Sequence, residues 1–180
     1  MSEKKKAVFL DRDGVINKEV SYLSNSKDFR FIEDSIEALK ILKQKGFLLI
    51  IITNQAGIAR GYFTEGTLKT IHSKMNNRLK KEGLELDDIY YCPHHPDFTG
   101  PCNCRKPNPG MILKAKLQHN IDLTKSYMVG DTLNDIQTGK AANCKTVLVL
   151  TGYGKEEQKN ISSVIPDMIF KNLKEFAINI

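Results

Sequence analysis

The sequence predicts a doubly wound, Rossmann-like α/β domain: a parallel sheet with helices on both faces. Strand-length apolar runs recur along the chain, helical stretches separate them, and polar residues follow the runs directly. Runs of Val, Ile, Leu and Phe without alternation belong to strands buried on both faces, the condition of a helix-covered parallel sheet. Strand–helix–strand order points the same way.

Each element has its own signal. Ala7–Leu10 reads as the first strand. Asp34 and Glu37 are spaced as a capping pair, opening a helix along Ile36, Leu39 and Leu42 that Gly46 is placed to end. Phe47–Ile52 is the second strand. Thr64 can cap the next helix, where Leu68, Ile71, Met75 and Leu79 form one apolar stripe. Ile89–Tyr91 is the third strand. Asn108 and Pro109 offer a cap and a first-turn proline for a helix through Leu117. Tyr127–Val129, a helix from about Leu133 to Ala142, Thr146–Leu150 and a short Met168–Phe170 complete the pattern. No repeat, low-complexity segment or linker divides residues 1–180, so one domain is expected.

Composition narrows the function classes. With 41% hydrophobic and 27% charged residues, the chain has the profile of a globular protein in water. No apolar run reaches the ~18 residues of a membrane span. The apolar run after Lys4-Lys5-Lys6 is too short for a secretory signal. A cytoplasmic protein without a membrane partner is expected, and nothing suggests more than a monomer. The net charge of +6 admits a nucleic-acid binder. The lysines are scattered rather than gathered into a stripe, however, so nucleic acid is not an expected partner. A basic balance also suits a small anionic substrate.

In sheets of this kind, ligands bind beyond the carboxyl ends of the strands. Asp11 follows the first strand, Thr53-Asn54 the second, Cys92 the third and Gly130-Asp131 the fourth. Asp11 and Asp13, one residue apart, repel unless a cation sits between them, although Asp-Gly is also an ordinary turn pair. Asp131, with Asp135 four residues on, adds carboxylates at another strand end. Such an oxygen-rich set suits Mg²⁺. Thr53 and Asn54 offer a hydroxyl, an amide and backbone N–H groups, and Lys106 a point positive charge, the equipment of phosphoryl transfer.

A second cluster lies between residues 92 and 104. Cys92 and His94 are two apart, as are Cys102 and Cys104, and extended residues two apart point the same way. Two such pairs closing on one ion make a tetrahedral Cys₃His site suited to Zn²⁺, with His95 an alternative to His94 on chemistry alone. Cys144, among small residues before a strand, reads as a buried hydrophobe.

Four segments together resemble the motifs of the haloacid dehalogenase-like phosphatases. They are Asp11-Arg12-Asp13-Gly14-Val15-Ile16, Thr53-Asn54-Gln55, Lys106-Pro107, and Gly130-Asp131-Thr132-Leu133-Asn134-Asp135. The resemblance implies Asp11 as nucleophile, Asp13 as general acid and base, and Thr53 and Lys106 on the phosphoryl oxygens. It implies Mg²⁺ on Asp11, the Asp13 carbonyl and Asp131, with Asp135 behind them. The segment from Cys92 to Cys104 is similar to the zinc loop of heptose-bisphosphate and histidinol-phosphate phosphatases; the resemblance implies no large cap domain and places His94 in the ligand position.

The run Gly57-Ile58-Ala59-Arg60-Gly61 favours the D-glycero-D-manno-heptose-1,7-bisphosphate 7-phosphatase family, and histidinol phosphate is the alternative substrate. A sugar bisphosphate needs a second anion site, for which Arg60 and Arg105 are candidates, with Lys18 or Lys155 at the rim. Arg60 reads equally as a solvated loop arginine. Asn54, Gln55, Glu19 and Tyr22 are expected along the substrate wall. Ser21 and Leu23 depart from the family pattern there.

Overall fold

Val8 and Leu10 face one side of the first strand, β1 (Ala7–Leu10), and Ala7 and Phe9 the other; all four are fully buried. The computed structural model describes residues 3–180 and shows why both faces are apolar. β1 lies in the middle of a six-stranded sheet with β2 (Leu48–Asn54), β3 (Asp88–Cys92), β4 (Tyr127–Gly130), β5 (Lys145–Val149) and β6 (Met168–Phe170). The order is β3-β2-β1-β4-β5-β6 and every pairing is parallel. The helices are α1 (Ser35–Gln44), α2 (Glu65–Lys81), α3 (Pro96–Thr99), α4 (Gly110–His119), α5 (Leu133–Ala141), α6 (Gly154–Lys159) and α7 (Leu173–Asn179). Among the described residues, no helix is long and apolar enough to cross a membrane.

The alternation of strand side chains splits each apolar run between two cores. Val8, Leu10, Leu49 and Ile51 pack with Leu39 and Leu42 of α1, Ile71 and Met75 of α2, and Phe176 of α7. Ala7, Phe9, Ile50 and Ile52 pack on the opposite face with Met111, Ile112 and Ala115 of α4. Each fully buried Leu, Ile or Phe contributes roughly 1.5–3 kcal/mol of transfer free energy. Burial on both faces is therefore what makes a four-residue strand such as β1 tenable.

The topology also fixes where a ligand can bind. From β1 the chain winds outward through β2 and β3, then crosses back to β4 and winds the other way. The loops leaving β1 and β4 part company, and a crevice opens at their carboxyl ends. Asp11 and Asp131 stand at that switch point, where the Asp11 amide donates to the Val129 carbonyl at 2.9 Å.

Two helix starts differ from expectation. Asp34 precedes α1, but it has φ 62° and makes no capping hydrogen bond. Its carboxylate and that of Glu37 instead hold Lys174 of α7, at 3.3 and 2.7 Å, so tertiary packing has taken the pair away from the helix end. Asn108 does not cap α4; its amide donates to the Cys102 carbonyl at 2.8 Å, and the helix starts after Pro109. Thr64 does cap α2, accepting from the Thr67 amide, and Leu68, Ile71, Met75 and Leu79 are buried. Gly46, with φ +81°, lies just beyond α1.

Candidate active site

Asp11 leaves β1 with its carboxylate tied on both sides. One oxygen accepts from the Arg12 amide at 2.7 Å, and the other lies 2.9 Å from Lys106 Nζ. The same Nζ lies 2.6 Å from Asp135, so one buried ammonium bridges two carboxylates. Burial alone would push Lys106 toward losing its proton, but Asp11 and Asp135 outweigh it and hold the group charged. The main chain of Lys106 is fixed as firmly: its N–H donates to the Asn54 side-chain oxygen at 3.0 Å, and Asn54 donates back to its carbonyl at 3.1 Å.

Asp131 follows β4 and is buried; its oxygen accepts from the Tyr153 amide at 2.8 Å. Two glycines make room for it. A Cβ on either Gly14 or Gly152 would fall 2.0 Å from an Asp131 oxygen, and both residues have positive φ. Asp135 completes a capping box at the start of α5, accepting from the Thr132 amide and hydroxyl.

Ligand atoms of Asp11, Asp131 and Asp135 all lie within 4.8 Å of one another. Burial, followed by the charges of Asp11 and Asp135, pushes the Asp131 carboxyl up to about 9. Burial raises Asp11 to about 7 against the opposing pull of Lys106. Three carboxylates share one ammonium, so the cluster is short of positive charge. An oxygen-only donor set in that condition fits a hard divalent cation.

Asp13 sits in a different environment. Burial favours its neutral form, yet Arg12, Asn17 and Gln55 hold it below the usual carboxylate range. Arg12 grips both carboxylate oxygens, with Nη2 at 2.8 and 2.6 Å and Nε at 3.2 Å. Asn17 and Gln55 donate at 2.8 and 3.1 Å, and Gln55 also donates to Thr53 Oγ1 at 2.8 Å.

Part of this set lines a cavity of about 400 Å³, while Arg12, Asn17, Asp131 and Asp135 lie behind its surface. Asp11, Asp13, Thr53, Asn54, Gln55 and Lys106 form its base, and Glu19, Tyr22 and Arg105 stand on its walls. Glu19 is pushed up to about 7, by burial first and then by Asp13. Arg105 donates to the His94 carbonyl at 3.3 Å, which links the wall to the cysteine loop. Arg60 does not line this cavity. Its guanidinium meets His95 Nε2 at 3.0 Å and covers the Phe98 ring at 4.9 Å. Lys18 and Lys155 are also absent from the lining, and Lys155 borders a separate depression with Lys171.

The cysteine loop brings Cys92, His94, Cys102 and Cys104 together, again within 4.8 Å. The sulfurs are 3.0, 3.5 and 3.6 Å apart, and His94 Nδ1 is 3.3 and 3.7 Å from Cys104 and Cys92. A tetrahedron of thiolates around zinc has edges of about 3.8 Å, so the cluster fits that ion slightly contracted. His95 points elsewhere: its Nδ1 accepts from the Asp97 amide at the start of α3. Cys144 lies apart and buried.

Sequence reasoning missed Arg12 and His72 as members of the site; Asn17, expected in the substrate wall from 17 to 23, instead donates to Asp13 and does not line the cavity. Arg12 is fully buried, and its remaining terminal nitrogen meets His72 Nε2 at 3.2 Å. An arginine between two aspartates reads as a surface residue, and a histidine on an apolar stripe reads as filler. Thr132, Asn134 and Tyr153 also line the cavity without having been singled out for that place.

A family model described as HAD-hydrolase-like matches residues 103–176. D-glycero-beta-D-manno-heptose-1,7-bisphosphate 7-phosphatase of Pasteurella multocida (strain Pm70) is 46% identical, with 94% of this chain and 99% of that protein aligned. The protein of the same name from Escherichia coli (strain K12) is 48% identical over 84% of this chain and 83% of its own length. Among solved structures, D,D-heptose 1,7-bisphosphate phosphatase from B. bronchiseptica, complexed with magnesium and phosphate, superposes with a TM-score of 0.90. It is 34% identical, and 96% of each chain is covered.

Proposed function

The chain belongs to the D-glycero-D-manno-heptose-1,7-bisphosphate 7-phosphatase family of haloacid dehalogenase-like hydrolases, and on that premise we propose that it cleaves the 7-phosphate from D-glycero-beta-D-manno-heptose 1,7-bisphosphate through an aspartyl-phosphate on Asp11. The observation that carries this reading is the convergence of Asp11, Asp13, Lys106 and Thr53 at the base of one cavity.

The Asp11 carboxylate attacks phosphorus, and the bond from phosphorus to the sugar oxygen breaks. That oxygen takes a proton from Asp13. Water then attacks the aspartyl-phosphate, gives its proton to Asp13, and inorganic phosphate leaves. Lys106, Thr53 and Asn54 hold the phosphoryl oxygens. The Asp13 network described above stores a carboxylate, which suits the second half-reaction. For the first half, Asp13 must gain a proton on the oxygen that faces Gln55, while Arg12 keeps its contacts to the other oxygen.

Mg²⁺ would be held by Asp11, the Asp13 carbonyl and Asp131, with Asp135 orienting Lys106 from behind. When bound it supplies positive charge to the phosphoryl oxygens. Zn²⁺ would be held by Cys92, His94, Cys102 and Cys104, a closed set of four protein ligands whose role is to stiffen the loop that carries Arg105 and Lys106. Arg105 is the proposed partner of the 1-phosphate. Glu19, Tyr22, Asn54 and Gln55 meet the sugar, and Arg60 acts from outside the cavity by bracing His95 and Phe98. The setting this implies is a cytoplasmic monomer acting on a small phosphorylated sugar, without nucleic-acid or membrane partners.

Phosphate release from both anomers of the bisphosphate and from histidinol phosphate tests this reading. The beta anomer should give the highest kcat/KM; equal or faster turnover of histidinol phosphate would overturn it.

A further inference from the structure

Arg12 has no exposed surface, and its guanidinium carries five N–H donors in a fixed plane. Three of its contacts go to Asp13 and a fourth reaches His72 Nε2 at 3.2 Å. Arginine does not give up its proton in a protein, so in this pair it is the donor. His72 Nε2 must then be the bare, accepting nitrogen, and the ring proton sits on Nδ1. His72 is buried on α2 among Leu68, Ile71 and Met75, and its ring stands edge-on to Tyr91 of β3 at 6.3 Å. Tyr91 is itself anchored by its hydroxyl, which donates to Glu65 at 3.0 Å. The acceptor is thus fixed to a helix and backed by a strand. Burial first, and then Arg12, pushes the imidazole down to about 4, which keeps it neutral through the neutral range.

The consequence runs through geometry. A two-point grip on a carboxylate is directional, because the fork of the guanidinium must lie in the plane of the two oxygens. Arg12 is adjacent to Asp13 in sequence, so the backbone alone does not set the angle at which the fork meets the carboxylate. The fourth contact, on Nη1 and from an element sixty residues away, fixes that angle. We propose that His72 is a positioning residue for Asp13: as acceptor for Arg12 Nη1 it orients the guanidinium, and thereby holds the Asp13 carboxylate beside Gln55 and Asn17, where proton transfer begins and ends. This rests on the proposed acid–base role of Asp13. His72 does not line the cavity, so it acts on turnover and not on substrate affinity.

The test compares His72→Leu, His72→Gln and Asp13→Asn in kcat and KM on the heptose bisphosphate. His72→Leu removes the acceptor and should lower kcat about 10-fold, a fraction of the ~10²–10⁴ that a proton-transfer group supplies, with KM unchanged. His72→Gln presents a carbonyl oxygen at similar reach and should restore most of that loss. Wild-type kcat in His72→Leu, or equal damage in both His72 variants, would overturn the proposal. If Asp13→Asn itself turns over normally, the acid–base reading fails instead. Should His72→Leu not fold, imidazole nitrogen NMR of the wild-type protein decides. A bare Nε2 coupled to the Arg12 Nη1–H supports the proposal, and a protonated Nε2 overturns it.

Discussion

Two ligand clusters, 27 positions apart at their nearest members in sequence (Cys104 and Asp131), are built on opposite plans. The carboxylate cluster draws Asp11 from the end of β1 and Asp131 from the end of β4, with Asp135 in the first turn of α5. Its members are up to 124 positions apart, and only the sheet brings them together. The thiol cluster draws all four members from residues 92–104. One site is a product of the fold. The other needs only a local loop and, in our reading, a metal to close it. The difference teaches where each should be fragile: the first through packing at the switch point, the second through its ion. Arg105 and Lys106 follow Cys104 directly and line the cavity, so on the proposed function the local site positions two cations of the global one.

The comparison can be broken most severely at Asp11. Asp11→Asn should abolish phosphate release and acid-labile labelling of the protein by substrate phosphate, with the circular dichroism spectrum unchanged. Next comes Gly152→Ala, which would put a methyl group 2.0 Å from the buried Asp131 oxygen at a φ of +52°. We expect about a 100-fold loss of kcat and a raised Mg²⁺ requirement, measured by metal titration of the rate, in keeping with the 10–100-fold that disturbed metal surroundings cost.

Arg105→Ala should raise KM for the bisphosphate about 10-fold or more, as expected for a lost hydrogen bond to a charged group, while turnover of a heptose 7-monophosphate changes little. Equal effects on both substrates would remove Arg105 from the 1-phosphate. The smallest effect on rate should come from Cys104→Ser. Elemental analysis should show zinc lost, the midpoint of thermal unfolding should fall, and kcat should drop only about 10-fold, since the loop shapes the wall without touching phosphorus. Full activity in a zinc-free, well-folded sample would separate the two clusters altogether.

The contrast also explains what could be read in advance. Asp11, Thr53 and Asp131 were legible because each follows an apolar run, and a parallel sheet gathers such positions at one edge. The thiol cluster was legible because its spacing is local. Asp34 and Asn108 were misread as caps because their side chains serve partners far from the helix ends, Lys174 in one case and the Cys102 carbonyl in the other. Arg12 and His72 carry no local signal at all; their meeting depends on how α2 packs beside β1. Arg60 was legible as a residue to watch, but its orientation toward His95 and Phe98 is decided by tertiary contacts.

The cavity walls are short segments: residues 19–23 after β1, 55–57 after β2, and Arg105 and Lys106 after the cysteine loop. Among the described residues all six strands belong to one sheet, and the loops leaving it are what surround the cavity. On the proposed function the body of the substrate is its own stopper, with the sugar filling the mouth and keeping bulk water from the aspartyl-phosphate until the dephosphorylated sugar departs. A truncated substrate that leaves the mouth open would turn each turnover into a race between the hydroxyl just released and an unrestricted supply of solvent.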